Sequence, residues 1–402
     1  PYPGTSKLLC VAKEGRIFLF EDDPAATVTE TFLDLRSQTF TSSDCGMTWL
    51  VFHPEFGQAG SPNRGYVYVT YKWAPATGGN GSEAYWRLSR FTVPDGSQAA
   101  NPASEQILIQ QYDRQQFHDS GCMMFGPDGY LYVAVGDEGG ANEQFDVGQK
   151  IDERLFSGIL RIDVDQNLSR SQANRRQPVQ IPMPAGWPQS FTAHYTIPND
   201  NPFLDAGNGK LEEFYAIGFR QPYRFSHDPE TNRTWVGESG QDTEEELCLL
   251  TPGANYGWPF REGKAAGPKA PPATVHGTLT EPIWSIAHAA GPDGCQVGGF
   301  VYRGAAHPSL TGKYLTVDNV SGRIRSFDYD ETNHIATDTI LTDMPSGSVY
   351  SGTSTIGQDH AGEPVFIKIN GTGTRGRWAG PEPALLGHRL VYLVGSAILA
   401  SD

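Results

Sequence analysis

Short runs of β-forming residues alternate along most of the chain with turns rich in Pro, Asp, Gly and His. The unit is clearest in VFHPEFGQAGSPNRGYVYVTY (51–71), MFGPDGYLYVAVGD (124–137) and SHDPETNRTWVGES (226–239). Apolar positions at the spacing of a helix are nearly absent, whereas short runs bounded by turn residues are typical of strands. The pattern therefore predicts an all-β protein.

The unit returns at intervals of roughly 50–80 residues, the range of four-stranded propeller blades with long loops. We therefore predict a single domain, residues 1–402, folded as a six-bladed β-propeller. Two polar, Pro-rich segments, 165–211 and 261–282, are too long for hairpin turns. We expect them to wall the mouth at one end of the propeller. The segment 376–402 departs from the repeat, and its role stays open between a closing strand and a tail.

The charge of the chain narrows the classes of partner. Thirty Lys and Arg against 46 Asp and Glu give a net charge of −16, and no block of basic residues occurs. This balance argues against nucleic acid and anionic lipid. No apolar run reaches the ~18 residues of a membrane-spanning helix. We therefore expect neither nucleic acid nor membrane as a partner, and expect small molecules or a basic protein instead.

Several features indicate a secreted, extracellular glycoprotein. Asn-x-Ser/Thr sequons occur at Asn80, Asn167, Asn232, Asn319 and Asn370, and such sequons accept glycans in secreted chains. The chain begins without Met or an apolar leader, which we interpret as a mature terminus. Five cysteines without CxxC spacing make a zinc site improbable, and their odd number leaves at least one thiol outside the predicted disulfides.

Two polar turns flank one predicted hairpin, FHDSG with His118 and VGDEGG with Asp137. Strands of a propeller converge on an axial cavity, which makes side chains at their ends candidates for one shared site. His118 is a candidate general base, because a neutral imidazole accepts a proton near neutral pH and Asp137 could fix its tautomer. The alternative is that His118 is an ordinary solvated turn residue.

Two further segments carry polar residues at equivalent places. IGFRQPYRF sets Arg220 just after a predicted strand, where a guanidinium could bind a carboxylate or act as a structural clamp on neighbouring carbonyls. GESGQDTEEEL offers carbonyl and carboxylate oxygens suited to calcium. A solvated acidic turn would show the same types of residue. The sequence contains no HExxH, GxSxG or GxGxxG motif, which argues against a zinc protease, an α/β hydrolase and a Rossmann enzyme.

Taken together, these motifs resemble the soluble quinoprotein sugar dehydrogenases, six-bladed propellers that hold pyrroloquinoline quinone (PQQ) and calcium in the axial mouth. The resemblance runs from about Asp44 to Ile369 and includes LVFHPEF, HDSG, FGPDGYLYVAVGDEGG, GFRQPYRFSHDP, VGESGQDTEEEL and NYGWP in the family's order. The extracellular features make the chain most similar to the fungal pyranose dehydrogenases of that family. In those proteins the catalytic propeller is commonly joined to a cytochrome b domain and a cellulose-binding module, which implies a cytochrome b domain or another acceptor for the electrons.

The resemblance implies a role for each matching residue. His118 would be the general base and Asp137 its orienter, and the carbonyls of Gly240 and Gln241 would bind calcium. The residues implied as contacts of the quinone or the sugar are Arg220, Gln221, Asp44, Asn319 and Arg323 for the cofactor, and Trp284 and Tyr223 for the pyranose ring. The implied reaction is oxidation of a pyranose by hydride transfer to the quinone.

The chain also departs from the family's pattern. Bacterial members grip the quinone carboxylates with a Lys and an Arg-x-Arg pair, which the stretches VDNVSGRIRSF and SVYSGTSTIGQD lack at the expected places. Asn319, Arg323 or hydroxyls within 351–355 could substitute. Two other functions stay open, since similar propellers occur in ligand-binding ectodomains of the hedgehog-interacting type and in calcium-dependent lactonases.

Overall fold

The computed structural model describes residues 1–23, 26–43, 45–75, 79, 81–342, 350–368, 389–394 and 397–401, the last two ranges by backbone alone. The strands in the first half of the chain are β1 Lys7–Ala12, β2 Arg16–Glu21, β3 Glu30–Asp34, β4 Met47–Phe52, β5 Tyr66–Trp73, β6 Ala84–Thr92, β7 Asn101–Asp113, β8 Met123–Phe125, β9 Leu131–Val135, β10 Gly158–Ile162, β11 Ser171–Ala173, β12 Phe191–Thr192, β13 Thr196–Pro198, β14 Phe214–Ile217 and β15 Pro222–Asp228. Those in the second half are β16 Arg233–Glu238, β17 Glu244–Leu249, β18 Ala254–Asn255, β19 Arg261–Glu262, β20 Ala265–Ala266, β21 Thr278–Leu279, β22 Trp284–Ala287, β23 Gln296–Val301, β24 Tyr314–Asp318, β25 Ile324–Asp330, β26 Ile335–Thr342, β27 Thr353–Gln358, β28 Pro364–Lys368, β29 Arg389–Val394 and β30 Ala397–Ser401. Two single 3₁₀ turns, His288–Ala290 and Pro308–Leu310, are the helical elements of the described chain.

The strands form larger sheets of consecutive, mostly antiparallel strands. Their orders are β1-β2-β3, β4-β5-β6-β7-β12, β8-β9-β10-β14-β18-β21, β15-β16-β17-β22, β23-β24-β25-β26 and β27-β28-β29-β30, with the ribbons β11-β13 and β19-β20 beside them. The prediction of an all-β chain is confirmed. The segment 165–211 contains β11, β12 and β13, and the segment 261–282 contains β19, β20 and β21.

Several strands are buried on both faces, which explains the nearly continuous apolar runs in the sequence. All but the two end residues of β5 (YVYVTYKW) are buried, and all five residues of β9 and of β10 are buried. The first core cluster lies between the second and third sheets and includes Leu88, Leu131 and Leu160. Apolar packing between sheets is therefore what holds the ring of sheets together.

Hydrogen bonds between loops link successive sheets around a central axis. The Thr70 hydroxyl in β5 donates to the Gly121 carbonyl before β8, at 2.8 Å. The Ser120 hydroxyl donates to Gln221 Oε1 before β15, at 3.1 Å. The Ser239 hydroxyl after β16 donates to the Gln296 carbonyl at 3.1 Å. The starts of β4, β8, β15 and β23 therefore lie at one end of the molecule, called here the His118 end.

All five cysteines are free, and the predicted disulfides are therefore wrong. Each thiol has its own surroundings: Cys45 donates to the Ser42 carbonyl at 2.9 Å and Cys122 to the Phe225 carbonyl at 3.6 Å. Within the described ranges no helix is long and apolar enough to span a bilayer.

Candidate active site

The centre of the site is a hydrogen-bonded chain of three side chains, His118, Asp137 and Trp258. His118 Nδ1 lies 2.5 Å from Asp137 Oδ1, and Trp258 Nε1 donates to Asp137 Oδ2 at 2.8 Å. Because the carboxylate accepts a hydrogen from Nδ1, the lone pair of His118 stays on Nε2. This is the tautomer that a general base needs.

The backbone of the β8–β9 hairpin sets the position of His118. Its φ is +62°, in the left-handed region that non-glycine residues rarely occupy. Gly136 lies directly against it, since a Cβ at Gly136 would sit 2.1 Å from the His118 carbonyl oxygen and 2.6 Å from Gln221 Oε1. A glycine is therefore required at position 136 for the imidazole and the amide of Gln221 to stand side by side.

Asp137 is fully buried yet stays anionic. Burial alone would raise the pKa of its carboxyl, but the attraction of His118, its hydrogen bond, Arg220 and the Gly139 amide together lower that pKa below the ordinary value. The Gly139 amide donates to Oδ1 at 3.0 Å. Asp137 therefore presents a negative charge to the imidazole ring.

Arg220 spans the gap between the His118 hairpin and the loop after β16. Its Nη1 donates to the carbonyls of Gly240 at 2.8 Å and Ser239 at 3.2 Å, and its own carbonyl accepts the amide of Asp137 at 2.9 Å. Arg220 Nε is buried and finds no hydrogen-bond partner among the described residues. Arg220 thus holds the His118 hairpin and the loop after β16 together, while its Nε donor makes no hydrogen bond within the described chain.

Buried carboxylates hold both loops in place. Glu238 Oε1 accepts the amides of Arg220 and Gln221, the latter at 3.0 Å. Burial and the facing carboxyl of Glu246 raise the pKa of Glu238 well above its ordinary value. Glu246 lies opposite Glu238 in the β16–β17 ladder, and burial raises its pKa to about 8. These acids face the protein interior behind the loop 239–243.

Glu262 orients the carbonyls of that loop. Its Oε1 accepts the amides of Gln241, Asp242 and Thr243 at 2.7, 2.8 and 2.7 Å. In a trans peptide unit the C=O points opposite to the N–H. The carbonyls of Gly240, Gln241 and Asp242 therefore point away from Glu262 and share one side of the loop. Clustered backbone oxygens of this kind are ligands that calcium accepts.

Two other predicted cofactor residues, Asn319 and Arg323, lie at the same end and are engaged with protein. Asn319 Nδ2 donates to the Thr353 carbonyl at 2.9 Å. Arg323 Nη1 lies 3.2 Å from Asp293 Oδ2, and Arg325 Nη2 lies 2.6 Å from the same oxygen. Asp44 falls outside the described residues. Arg323 and Arg325, which form an Arg-x-Arg pair in this stretch although not at the place expected from the family, are therefore turned toward Asp293.

The two predicted substrate aromatics occupy different surroundings. Trp284 is 9% exposed and packs in the core between β22 and β26, with Nε1 3.3 Å from Asp338 Oδ1. The indole is enclosed by apolar side chains and by Arg325, a placement that favours a packing role over the predicted contact with a sugar. Tyr223 is partly buried beside Arg224 and lines the axial cavity.

Three residues of the site went unassigned in the sequence analysis: Trp258, Glu262 and Lys72. Lys72 is fully buried, with Nζ 2.6 Å from Asp113 Oδ2 and 2.9 Å from Asp119 Oδ1, and it braces the loop that carries His118. A lysine inside the otherwise apolar strand YVYVTYKW is the signal that could have revealed it. Within the described chain no group of three or more His, Cys, Asp or Glu side chains is arranged to hold a metal. A cation here would therefore depend on backbone oxygens.

Comparison with known proteins identifies the family. The family model described as Glucose / Sorbosone dehydrogenase matches residues 2–180 and 170–347. The chain belongs to this family, as the motifs predicted.

Two relatives cover most of this chain at low sequence identity. HIPL1 protein of Arabidopsis thaliana is 27% identical over 366 residues, which cover 79% of this chain and 50% of that protein. Hedgehog-interacting protein of Homo sapiens is 24% identical over 322 residues, which cover 78% of this chain and 39% of that protein. The chain thus spans half or less of the length of these relatives.

Solved structures share the fold. The soluble aldose sugar dehydrogenase of Escherichia coli, in its apo-form, superposes with a TM-score of 0.65 at 17% identity, covering 90% of both chains. The PQQ-bound aldose sugar dehydrogenase of Streptomyces coelicolor superposes with a TM-score of 0.57 at 19% identity, covering 94% of this chain and 91% of that one. At this identity the likeness establishes the β-propeller fold.

Proposed function

We propose that this chain is a six-bladed propeller enzyme that oxidises a CH–OH group of a pyranose sugar, using PQQ and calcium. The observation that carries the proposal is the chain His118–Asp137–Trp258 beside the Arg220–Gly240 loop, at one end of the axis. The proposal places the enzyme outside the cell. The enzyme passes its electrons to a cytochrome b domain or another acceptor.

His118 acts as the general base of this reaction. Its Nε2 lone pair accepts the proton of a sugar hydroxyl, while Nδ1 keeps its hydrogen bond to Asp137. Asp137 stabilises the imidazolium that forms, and Trp258 holds the second carboxylate oxygen so that the pair cannot rotate apart. Positioned base catalysis of this kind contributes about 10²–10⁴ in rate.

The residues present fit the two cofactors. The unpaired Nε of Arg220 is a buried cationic donor that a quinone oxygen or carboxylate would satisfy. The carbonyls of Gly240 and Gln241, oriented by Glu262, would supply hard oxygens to calcium, and the Gly240 carbonyl would do so with the lone pair that Arg220 Nη1 does not use. When bound, PQQ supplies the hydride acceptor and calcium the Lewis acid that polarises it. Gln221, next to His118, would orient the reacting group by its amide.

Three residues are assigned weaker roles in this proposal. Tyr223 offers a ring face against the apolar side of the pyranose. Asn319 and Arg323 would contact the quinone carboxylates only after giving up the Thr353 carbonyl and Asp293.

A ligand-binding module without catalysis is the second candidate, because the human Hedgehog-interacting protein covers most of this chain. Such a module has no need of a base and would tolerate loss of His118. A lactonase would need several carboxylates around its calcium, and the described residues do not gather such a set.

The test is reconstitution of the purified protein with PQQ and calcium, followed by dye reduction with a panel of pyranoses. The expected result is sugar-dependent reduction that requires both cofactors and falls at least a hundredfold in His118→Ala. Lack of reduction with every sugar, in protein shown spectroscopically to hold PQQ, would favour the binding module.

A further inference from the structure

The ammonium group of Lys72 lies at the centre of the segment 113–119, which runs from the end of β7 to the turn that carries His118. Its Nζ lies 2.6 Å from Asp113 Oδ2 and 2.9 Å from Asp119 Oδ1, and it donates to the Gln115 carbonyl at 3.1 Å. The side chain of Lys72 is fully buried, and those of the two aspartates are 2% exposed. Since an ammonium has three donors, each donor has an acceptor in this one segment. The cluster therefore fixes the path of the segment around Lys72.

Asp119 passes this restraint to His118, because it follows His118 directly in the chain. The φ of His118 is +62°, and a backbone conformation of this kind persists only where its surroundings hold it. On one side Gly136 lies against the His118 carbonyl. On the other side the ion pair with Lys72 holds Asp119. The direction of the imidazole toward Asp137 therefore depends on an ion pair that does not touch the ring.

The cluster around Lys72 contains one carboxyl more than the charge of the ammonium balances. The described charged and titratable groups that face Asp113 come from the neighbouring strands and turns and are Lys72, Asp119, Cys45 and Glu138 with its partners Arg114 and Arg154. Burial raises the pKa of Asp113 to about 8; Lys72 opposes this shift, and Asp119 and Glu138 add to it. Burial raises the pKa of the Cys45 thiol to about 12. At neutral pH Asp113 is therefore protonated, and Lys72 balances Asp119 alone.

We propose that Lys72, Asp113 and Asp119 form a proton-sensitive positioning device for His118. While Asp113 is neutral, Lys72 pairs fully with Asp119 and holds the backbone of the base. When both carboxyls are charged, Asp113 competes for the same ammonium and His118 is held less firmly. The inference rests on the proposed function only for the role of His118 as a base. The positioning itself concerns groups that are present without PQQ or sugar.

The experiment measures how fast the Nδ1 proton of His118 exchanges with water, by proton NMR of the full chain labelled at histidine nitrogen and free of cofactors. This proton lies in the hydrogen bond to Asp137, and loss of its signal in His118→Ala assigns it. At pH 7, Asp119→Asn should raise the exchange rate at least about tenfold, because the charge-assisted bond next to His118 is lost.

Asp113→Asn is the matched variant within the cluster. At pH 7 it should change the exchange rate by less than about twofold, since the charged pair of Lys72 and Asp119 remains. A cluster that serves the fold alone would respond alike to the two substitutions, because the two aspartates are equally buried and bind the same ammonium.

Asp163→Asn is the control for loss of a buried ion pair elsewhere. Asp163 Oδ1 lies 2.9 Å from Arg170 Nη2, and its side chain is fully buried. Gly158 of β10 pairs with Val135 of β9, so β10 begins at the His118 end and Asp163, which follows its last residue, lies at the opposite end. This substitution should leave exchange of the His118 proton unchanged.

The pH dependence tests the shared proton. Between pH 7 and pH 9, exchange in the parent should accelerate at least about threefold more than in Asp113→Asn, because only the parent gains a second carboxylate charge beside Lys72. Equal pH dependence of these two proteins would overturn the proposal, as would equal effects of Asp113→Asn and Asp119→Asn at pH 7 or the lack of a His118 Nδ1 signal in the parent.

Two further outcomes are separable. If Asp119→Asn does not fold, the comparison of the parent with Asp113→Asn across pH decides the proposal by itself. The expected exchange pattern in a protein that oxidises no sugar after reconstitution would reject the enzyme function and support the positioning of His118.

Discussion

The indole of Trp258 donates its hydrogen to Asp137 Oδ2 at 2.8 Å, across a separation of 121 residues along the chain. Asp137 thereby receives three donors, His118 on one oxygen together with the Gly139 amide, and Trp258 on the other. A carboxylate that accepts hydrogen bonds on both oxygens is held against rotation, and its negative charge is stabilised. The tautomer and orientation of His118 therefore depend on a residue that never needs to contact a substrate.

Trp258→Phe removes this one hydrogen bond and retains most of the ring. We expect the rate of quinone reduction by sugar to fall by about tenfold, because a hydrogen bond to a charged group is worth about 1.5–3 kcal/mol and part of the orientation survives through Gly139. Stopped-flow kinetics of quinone reduction by sugar, in protein saturated with PQQ, measures this rate. Trp235→Phe is the matched control, since Trp235 Nε1 is buried without a partner in the described structure. A rate equal to that of the parent would reduce Trp258 to a packing residue.

His118→Ala should lower the same rate by about 10²–10⁴ and leave PQQ binding intact. Asp137→Asn should cost less, because the imidazole remains but loses the partner that stabilises its charged form. In the double variant the losses should be far from additive, since the two residues act as one unit. Independent, additive losses measured by single-turnover kinetics would contradict the coupling.

The strands and the His118–Asp137 pair were predictable because both depend on local sequence. Two polar turns flank one hairpin, and the β8–β9 ladder necessarily brings its ends together. Trp258 and Glu262 were not predictable from local sequence, since Trp258 is 121 residues away from Asp137 along the chain and Glu262 reaches the loop 239–243 from the separate ribbon β19-β20. The local sequence likewise does not tell which face of the sheet Trp284 occupies, and its buried position beside Arg325 favours packing over the predicted contact with a sugar.

Glu262→Gln should weaken calcium binding by about tenfold or more. The variant keeps an oxygen that can accept amides but loses the charge that holds the amides of Gln241, Asp242 and Thr243, and charge-assisted bonds are roughly twice as strong as neutral ones. Calcium titration of the apo-protein, followed by calorimetry, measures the change independently of activity. Glu230→Gln, a surface carboxylate paired with Arg303, is the control. Calcium affinity unchanged in Glu262→Gln would remove the orienting role.

Glu246 should make the protein less stable as pH rises. Burial raises the pKa of its carboxyl in the folded state to about 8, whereas an unfolded Glu titrates at about 4.3. Between these values the folded state holds a proton that the unfolded state has released, so its stabilising contribution is complete below the unfolded pKa and is lost as pH rises toward 8.

Glu246→Gln removes this titration and keeps an oxygen for the Gly263 amide, which donates to Glu246 Oε1. We expect the free energy of unfolding of the variant to decline less than that of the parent between pH 5 and pH 8, by a few kcal/mol at most. Urea unfolding in the presence of a chelator, at several pH values, provides the comparison. Glu230→Gln again serves as the control, because its exposed carboxylate should leave the pH dependence unchanged. Parallel pH profiles for the parent and Glu246→Gln would show that the carboxyl ionises in the folded protein as it does in water, despite its burial.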